Sequence, residues 1–321
     1  MHSLLRLGTR GSQLARWQAR AVATSLESHG FDVELVLIRT SGDRLQEATL
    51  ADVGGKRLFV KEIEDALLGG EIDIAVHSAK DLPATLPDGL DVAGTLPRED
   101  PRDVLVLPAG LPSGDAASVI ARLGGHPRIG TSSVRRVAQL GAAIPGAAFL
   151  PIRGNVDTRL RKLDGGEYDA LVLAAAGMRR LGFGDRISAA LSPAHCVPAP
   201  GQGIIAIEIR SDNDRCREAV GRVHDRSAGL ALEAERSVVA ALGGGCQLPL
   251  GALCTARADT LDLLAVVCSP DSGRVLRARH TGRADEPAAV GQLVAEQLAG
   301  QGAADILNEV RRNSGPVEGS Y

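Results

Sequence analysis

Apolar runs of strand length alternate along the chain with segments whose apolar positions recur at helical spacing. The runs Val33–Ile38, Ile72–Val76, Val104–Leu107, Ala170–Leu173 and Ile204–Ile209 are short, rich in aliphatic residues and bounded by polar or turn residues, which predicts strands. Between them, Ser12–Ser28, Leu58–Leu68, Val134–Leu140 and Val156–Leu163 predict helices. Such βαβα alternation is the pattern of α/β domains built on mainly parallel sheets. From Arg226 the pattern changes. A long helical stretch to Leu242, strands near Leu261–Val267 and Val275–His280, and a helix over Glu286–Leu298 predict a smaller α+β unit, with the tail Asn313–Tyr321 frayed.

Two interruptions divide the α/β part. Arg98-Glu99-Asp100-Pro101-Arg102-Asp103 is a dense charged stretch around a proline, and Ser192 to Gly203 is rich in Pro and Gly. The simplest account is two crossovers between neighbouring domains, the second returning the chain to the first. That divides the chain into 1–98 with 204–221, 103–197, and 226–321. A chain of 321 residues is too long for one ordinary compact core, which agrees with two or three domains.

Composition narrows the function. Hydrophobic content of 44% with 23% charged residues is that of a globular protein. Aromatics at 2% argue against nucleic-acid binding by base stacking, and a net charge of −3 supplies no field to recruit nucleic acid or an anionic membrane. Cys196, Cys216, Cys246, Cys254 and Cys268 are odd in number and lack metal-ligand spacing, which argues against a disulfide scaffold or a zinc site. No window approaches the length of a membrane span and the N-terminal residues contain no secretory apolar run, so a reducing cytoplasm is the expected location. Lysine occurs only at Lys56, Lys61, Lys80 and Lys162; arginine supplies the rest of the basic residues. Codon bias explains that skew, and so does a site that needs guanidinium groups.

The candidate chemistry lies at strand exits, where α/β domains place ligands. His77-Ser78-Ala79-Lys80-Asp81-Leu82-Pro83 follows one strand and brings a hydroxyl, an ammonium and a carboxylate together; the same string is equally a solvated loop. In Gly130-Thr131-Ser132-Ser133-Val134-Arg135-Arg136 a strand runs into hydroxyls and then a helix, where Ser132 or Ser133 can cap and paired arginines can bind an anion. Arg153-Gly154-Asn155 leads into a helix bearing Arg159, Arg179-Arg180 follows another strand, and Thr9-Arg10-Gly11-Ser12 repeats the style. Arginine grips a carboxylate bidentately and keeps its charge, so several such exits would suit a ligand carrying several carboxylates. Gly243-Gly244-Gly245-Cys246-Gln247-Leu248-Pro249 sets a single thiol in a glycine loop, which reads either as a buried free cysteine or as an accessible nucleophile or attachment point. Asp52-Val53-Gly54-Gly55-Lys56-Arg57-Leu58-Phe59 does not fit a phosphate-binding P-loop and reads instead as a lid, to which Asp43 belongs.

Taken together, VGGKRLFVKE, DIAVHSAKDLP, REDPRDVLV, GTSSVRR, RGNVDTRL, PGQG and GGGCQLPLG resemble the porphobilinogen deaminase (hydroxymethylbilane synthase) family, in family order over essentially the whole chain. The resemblance implies an α/β fold of two domains, like those of periplasmic binding proteins, around a cleft, plus a smaller α+β C-terminal domain. It implies a dipyrromethane cofactor held through the Cys246 thioether. It also implies a transferase that adds four porphobilinogen units in sequence, releasing ammonia and then hydroxymethylbilane, as a cytoplasmic enzyme of haem biosynthesis. By the same carry-over Asp81 is the catalytic carboxylate beside a transient cation. Arg10, Arg135, Arg136, Arg153, Arg159 and Arg180 match carboxylate-binding arginines. Ser12, Ser78, Lys80, Thr131 and Ser133 add hydrogen bonds, Gln202 sits at the hinge, and Asp43, Lys56 and Phe59 belong to the lid. No nucleic-acid or membrane partner is expected, and a monomer is favoured. The rival reading is a two-lobed solute-binding or ligand-sensing protein of the same architecture, which has no use for Cys246.

Overall fold

The computed structural model describes residues 4–39, 60–243, 249–269 and 273–313. The chain begins with strand β1 (Leu5–Arg10) and helix α1 (Gln13–Ser28). Ser12 caps α1 by accepting from the Ala15 N–H, and Ala19, Val22, Ala23 and Leu26 form its buried stripe. Strand β2 (Val33–Ile38), helix α2 (Lys61–Leu68), strand β3 (Ile74–Ser78) and strand β4 (Leu90–Thr95) follow. Residues 58 and 59 of the helix expected from Leu58 lie outside the described residues.

The first crossover delivers the chain to β5 (Asp103–Val106), then α3 (Ala116–Arg122), β6 (Arg128–Gly130), α4 (Val134–Leu140), β7 (Ala148–Leu150), α5 (Val156–Asp164), β8 (Ala170–Ala174), α6 (Ala175–Arg180) and β9 (Ala189–Ala190). The second crossover leads back to β10 (Ile205–Arg210) and α7 (Asp214–Gly221). The remaining chain forms α8 (Arg226–Ala241), β11 (Leu250–Arg257), β12 (Thr260–Cys268), β13 (Val275–Arg283), α9 (Pro287–Gly300) and α10 (Ala303–Asn313).

The strands make two five-stranded sheets, ordered β2-β1-β3-β10-β4 and β7-β6-β8-β5-β9, and a three-stranded antiparallel sheet, β11-β12-β13. The expected mainly parallel pairing holds for only half of each large sheet. In the first, β10 runs antiparallel to both β3 and β4; in the second, β5 runs antiparallel to both β8 and β9. Each reversed strand is the one a crossover brings in from the other lobe. Both large sheets are buried on two faces. In β5, Val104 and Val106 face one core with Leu160, Leu163 and Met178, while Leu105 faces another with Val119, Ile129 and Leu140. This two-sided burial is why such strands read as unbroken apolar runs.

Several elements had no strand or helix pattern of their own. β11 is built largely of small residues, Gly251 and Ala252 among them, and is a strand because it pairs with β12 along its whole length, from Leu250 opposite Val267 to Arg257 opposite Thr260. The C-terminal unit closes around Val238, Leu263, Ala265, Val294 and Leu298. It is tied to the hinge by the fully buried Glu235 of α8, whose carboxylate accepts from Arg98 at 2.6 Å, from the Gly201 N–H at 2.6 Å and from the Cys254 N–H at 2.7 Å. No helix among the described residues is long and apolar enough to cross a membrane.

Candidate active site

A cleft of ≈ 400 Å³ opens where the ends of β1, β3 and β8 meet the second crossover. β1 ends in Arg10, and the turn after it places Ser12 at the cleft wall. β3 ends in Ser78 and passes into a single 3-10 turn, Ala79–Asp81, which turns Lys80 and Asp81 into the same space. The sequence enforces that turn from behind. Gly201 of the second crossover packs against it at φ +72°, where an added Cβ would lie 2.9 Å from the Ala79 carbonyl carbon and 3.0 Å from the Lys80 nitrogen. Two residues on, Gly203 at φ +88° would drive a Cβ to 2.3 Å from the Glu99 oxygen. Only glycine lets the two crossovers approach each other and the turn this closely. That is the physical content of the Pro-Gly-Gln-Gly string.

The second lobe supplies the cations. Arg153 precedes α5, Arg159 lies within it, Arg180 ends α6 and Arg136 comes from α4; all four line the cleft. Their charges are not equally engaged. Arg136 donates to Asp103 Oδ1 at 2.7 Å and 3.0 Å and to the Val172 carbonyl at 2.7 Å. Arg159 donates from Nε to the Gly154 carbonyl at 2.8 Å, and Arg180 donates to the Gly203 carbonyl at 2.7 Å. Those two contacts satisfy a donor without neutralising a charge. Burial, then the neighbouring Arg136 and Arg153 charges, push the Arg159 guanidinium down to about 10. Burial also lowers Arg180 to about 10, partly offset by Glu99. Both remain cations at neutral pH, held where an anion would relieve them.

Gln202 is almost fully buried and couples the parts. Its side-chain N–H groups reach the Pro101 carbonyl at 2.7 Å and Asp103 Oδ1 at 2.9 Å, and its oxygen accepts from Lys80 Nζ at 3.5 Å.

Three expected cleft residues do other work. Arg135 is buried and does not line the cleft: it donates to Asp103 Oδ2 at 2.7 Å and to the Val197 carbonyl at 2.6 Å. Ser133 caps α4 by accepting from the Arg136 N–H, and Thr131 Oγ1 accepts from the Ser133 N–H at 3.3 Å, so their hydroxyls shape the turn that presents Arg136. Arg179 faces Glu99 and Asp100 of the first crossover, unlike Arg180 beside it. Asn155 holds the N-cap position of α5 without a side-chain cap bond and lines the cleft. Cys246, Asp43, Lys56 and Phe59 lie outside the described residues.

Two buried polar residues escaped the motif reading. Asp103 is fully buried beneath Arg135, Arg136 and Gln202. Burial opposes its ionisation, yet Arg135 and Arg136 hold it well below the usual carboxylate range. Gln18 of α1 lines the cleft and exchanges hydrogen bonds with Ser78 Oγ at 2.8 Å and 3.1 Å. A signal for it existed: a glutamine falls on the same helical stripe as Val22 and Leu26.

The arrangement brings one carboxylate and one ammonium against the half-buried guanidiniums of Arg159 and Arg180, which donate to carbonyl oxygens. It is suited to a polycarboxylate ligand that develops positive charge at its reacting centre. Residues 5–218 match the family model described as porphobilinogen deaminase, dipyromethane cofactor binding domain, and residues 230–300 match porphobilinogen deaminase, C-terminal domain. The chain is 44% identical to a porphobilinogen deaminase of Syntrophobacter fumaroxidans over 96% of this chain and 98% of that one. It is 47% identical to a porphobilinogen deaminase of Acidithiobacillus ferrooxidans over 97% and 99%. Among solved structures, the Bordetella pertussis BvgS VFT2 domain is similar at 18% identity and a TM-score of 0.40, covering 68% of this chain and 86% of that one.

Proposed function

The chain belongs to the porphobilinogen deaminase family, and from that premise we propose which of its residues carry the reaction. The protein is a transferase of tetrapyrrole biosynthesis that joins four porphobilinogen units head to tail on a dipyrromethane primer, with loss of ammonia, and releases hydroxymethylbilane. The observation that carries the residue assignment is the pair Arg159 and Arg180, half-buried cations held by carbonyl oxygens in the same cleft as Asp81.

The donor set fits the cofactor. Each pyrrole bears an acetate and a propionate, and buried carboxylates need charge partners. Arg10, Arg153, Arg159 and Arg180 hold those carboxylates, with Ser12 and Ser78 adding neutral donors. When bound through Cys246, the dipyrromethane supplies the nucleophilic pyrrole carbon and the anchor for the growing chain.

Asp81 does the chemistry at the centre. Porphobilinogen losing ammonia becomes a cation, and a fixed carboxylate lowers the energy of that charge as it develops. The same carboxylate accepts hydrogen bonds from pyrrole N–H groups and relays the proton that the leaving amine needs. Lys80, tethered to Gln202 at 3.5 Å, stays in the same cleft as an anion contact. Domain limits of 1–98 with 204–221, 103–197 and 226–321 accord with the three sheets. A cytoplasmic location accords with the four free, buried cysteines among the described residues. A solute-binding role leaves the cysteine in its glycine loop without a task.

Intact-mass measurement of protein produced with porphobilinogen present tests the assignment. The expected mass exceeds that of the polypeptide by two pyrrole units, and Cys246→Ala removes the excess. Asp81→Asn is expected to keep much of the adduct while turnover falls by about a hundredfold or more. Normal turnover by that variant would take Asp81 out of the mechanism, and an unmodified wild-type mass would take Cys246 out.

A further inference from the structure

Arg180 reaches the cleft from the last turn of α6 in the second lobe, but one of its supports comes from the first. Its guanidinium carbon lies 5.6 Å from the centroid of the Trp17 ring on α1. Trp17 is the only tryptophan in the chain and is 40% exposed. It does not line the cleft itself, whereas Leu14 and Gln18, on the same side of α1, do. The two helices meet closely here: a Cβ added at Gly177 of α6 would sit 3.7 Å from Leu14 Cδ2.

We propose that Trp17 is a positioning residue, whose ring face holds the Arg180 guanidinium in the cleft from across the seam between the two lobes. The inference rests on the reading above that Arg180 grips a substrate or cofactor carboxylate. A flexible arginine stem needs to be fixed before it can bind, and the means of fixing it decides what charge is left. An acidic neighbour at hydrogen-bond distance would order the side chain and cancel the cation, as Asp103 does for Arg135. A π face and a backbone carbonyl order it and leave the charge intact. Because the two partners sit on different lobes, the stack forms only when the lobes are in this relative position.

The test uses the full-length holoenzyme. Trp17→Leu is expected to lower kcat/KM for porphobilinogen by roughly threefold to thirtyfold, the span of a cation–π contact, with an unchanged urea midpoint. Trp17→Phe, which keeps a ring face, recovers most of the loss. Arg180→Leu lowers kcat/KM further, and the Trp17→Leu/Arg180→Leu double variant is no worse than Arg180→Leu alone. A sole tryptophan also reports directly: Arg180→Leu shifts the protein's indole emission and raises its quenching by acrylamide. Strictly additive losses, a Trp17→Leu variant equal to wild type, or emission indifferent to Arg180→Leu overturns the proposal. If Arg180→Leu itself has normal kcat/KM, the carboxylate-binding role of Arg180 fails and the purpose of the stack with it. An impaired Arg180→Leu beside a normal Trp17→Leu rejects the positioning role alone.

Discussion

The second lobe carries arginines under two regimes. Around Asp103, Arg135 and Arg136 share one fully buried carboxylate, and Gln202 completes its shell. Further along the chain, Arg159 and Arg180 are ordered by the Gly154 and Gly203 carbonyls. The first group is electrostatically closed. Burial works against the Arg135 charge, but Asp103 outweighs it and raises the guanidinium above its ordinary value. The second group is open: burial lowers Arg159 and Arg180 to about 10 with no comparable acid to restore them. The closed group holds β5, α4 and the hinge together, and the open group is the one proposed above to take the ligand's carboxylates. Arginines identical in sequence chemistry thus divide according to whether the partner that orders them also supplies a counter-charge.

The sharpest way to break that comparison is to remove the shared carboxylate. Asp103→Ala leaves two buried guanidiniums without their counter-charge and should cost about 3–5 kcal/mol of stability, read as a lower urea midpoint. The sign with pH follows the same logic. The folded-state pKa of Asp103 lies below its unfolded value, so its contribution is complete at neutral pH and is lost as pH falls through the acid range below about 4. A midpoint for Asp103→Ala equal to wild type at pH 7 would mean the closed group is not a scaffold.

Next in size is a paired substitution. Arg135→Leu is expected to destabilise by about 3 kcal/mol or more, because it strands Asp103 with fewer donors. Arg159→Leu is expected to leave stability within about 1 kcal/mol, since it removes a cation that burial already disfavours, while kcat/KM falls roughly tenfold to a hundredfold. Denaturation curves and steady-state kinetics on both variants check this; equal stability losses would erase the distinction.

The smallest effect concerns Cys196, which lies against the closed group with its thiol donating to Asp103 Oδ2 at 3.3 Å. Burial, with Asp103 adding to it, pushes that thiol up to about 12, and burial likewise pushes Cys254 to about 12 and Cys216 and Cys268 to about 11. Thiolate being the reactive form, a disulfide reagent at pH 8 should label none of these four in the native protein within minutes. Fast labelling of Cys196 would show that the closed group opens readily.

Much of the fold was legible because burial on both sheet faces writes itself as unbroken apolar runs, as in Val104–Leu107 and Ile204–Ile209. β11 was not, since Gly251 and Ala252 carry little strand signal and their conformation comes from pairing with β12. Nor was the reversed direction of β5 and β10, which depends on the lobe from which each strand arrives. At the site, the strand-exit motifs led to Arg10, Ser78, Lys80, Asp81, Arg153 and Arg159 at one cleft. They also led to Thr131, Ser133 and Arg135, which have the same local pattern but turn away from it.

The amino-acid sequence by itself determined the residue types at each strand exit, the glycines that let the crossovers pass, and the family resemblance those strings carry. Only the tertiary structure decided which guanidiniums have a carboxylate beside them and which have only carbonyl oxygens. Asp103 is distant in the chain from Arg135 and Arg136, as Trp17 is from Arg180, and a side chain's charge is available or cancelled according to what folding sets beside it.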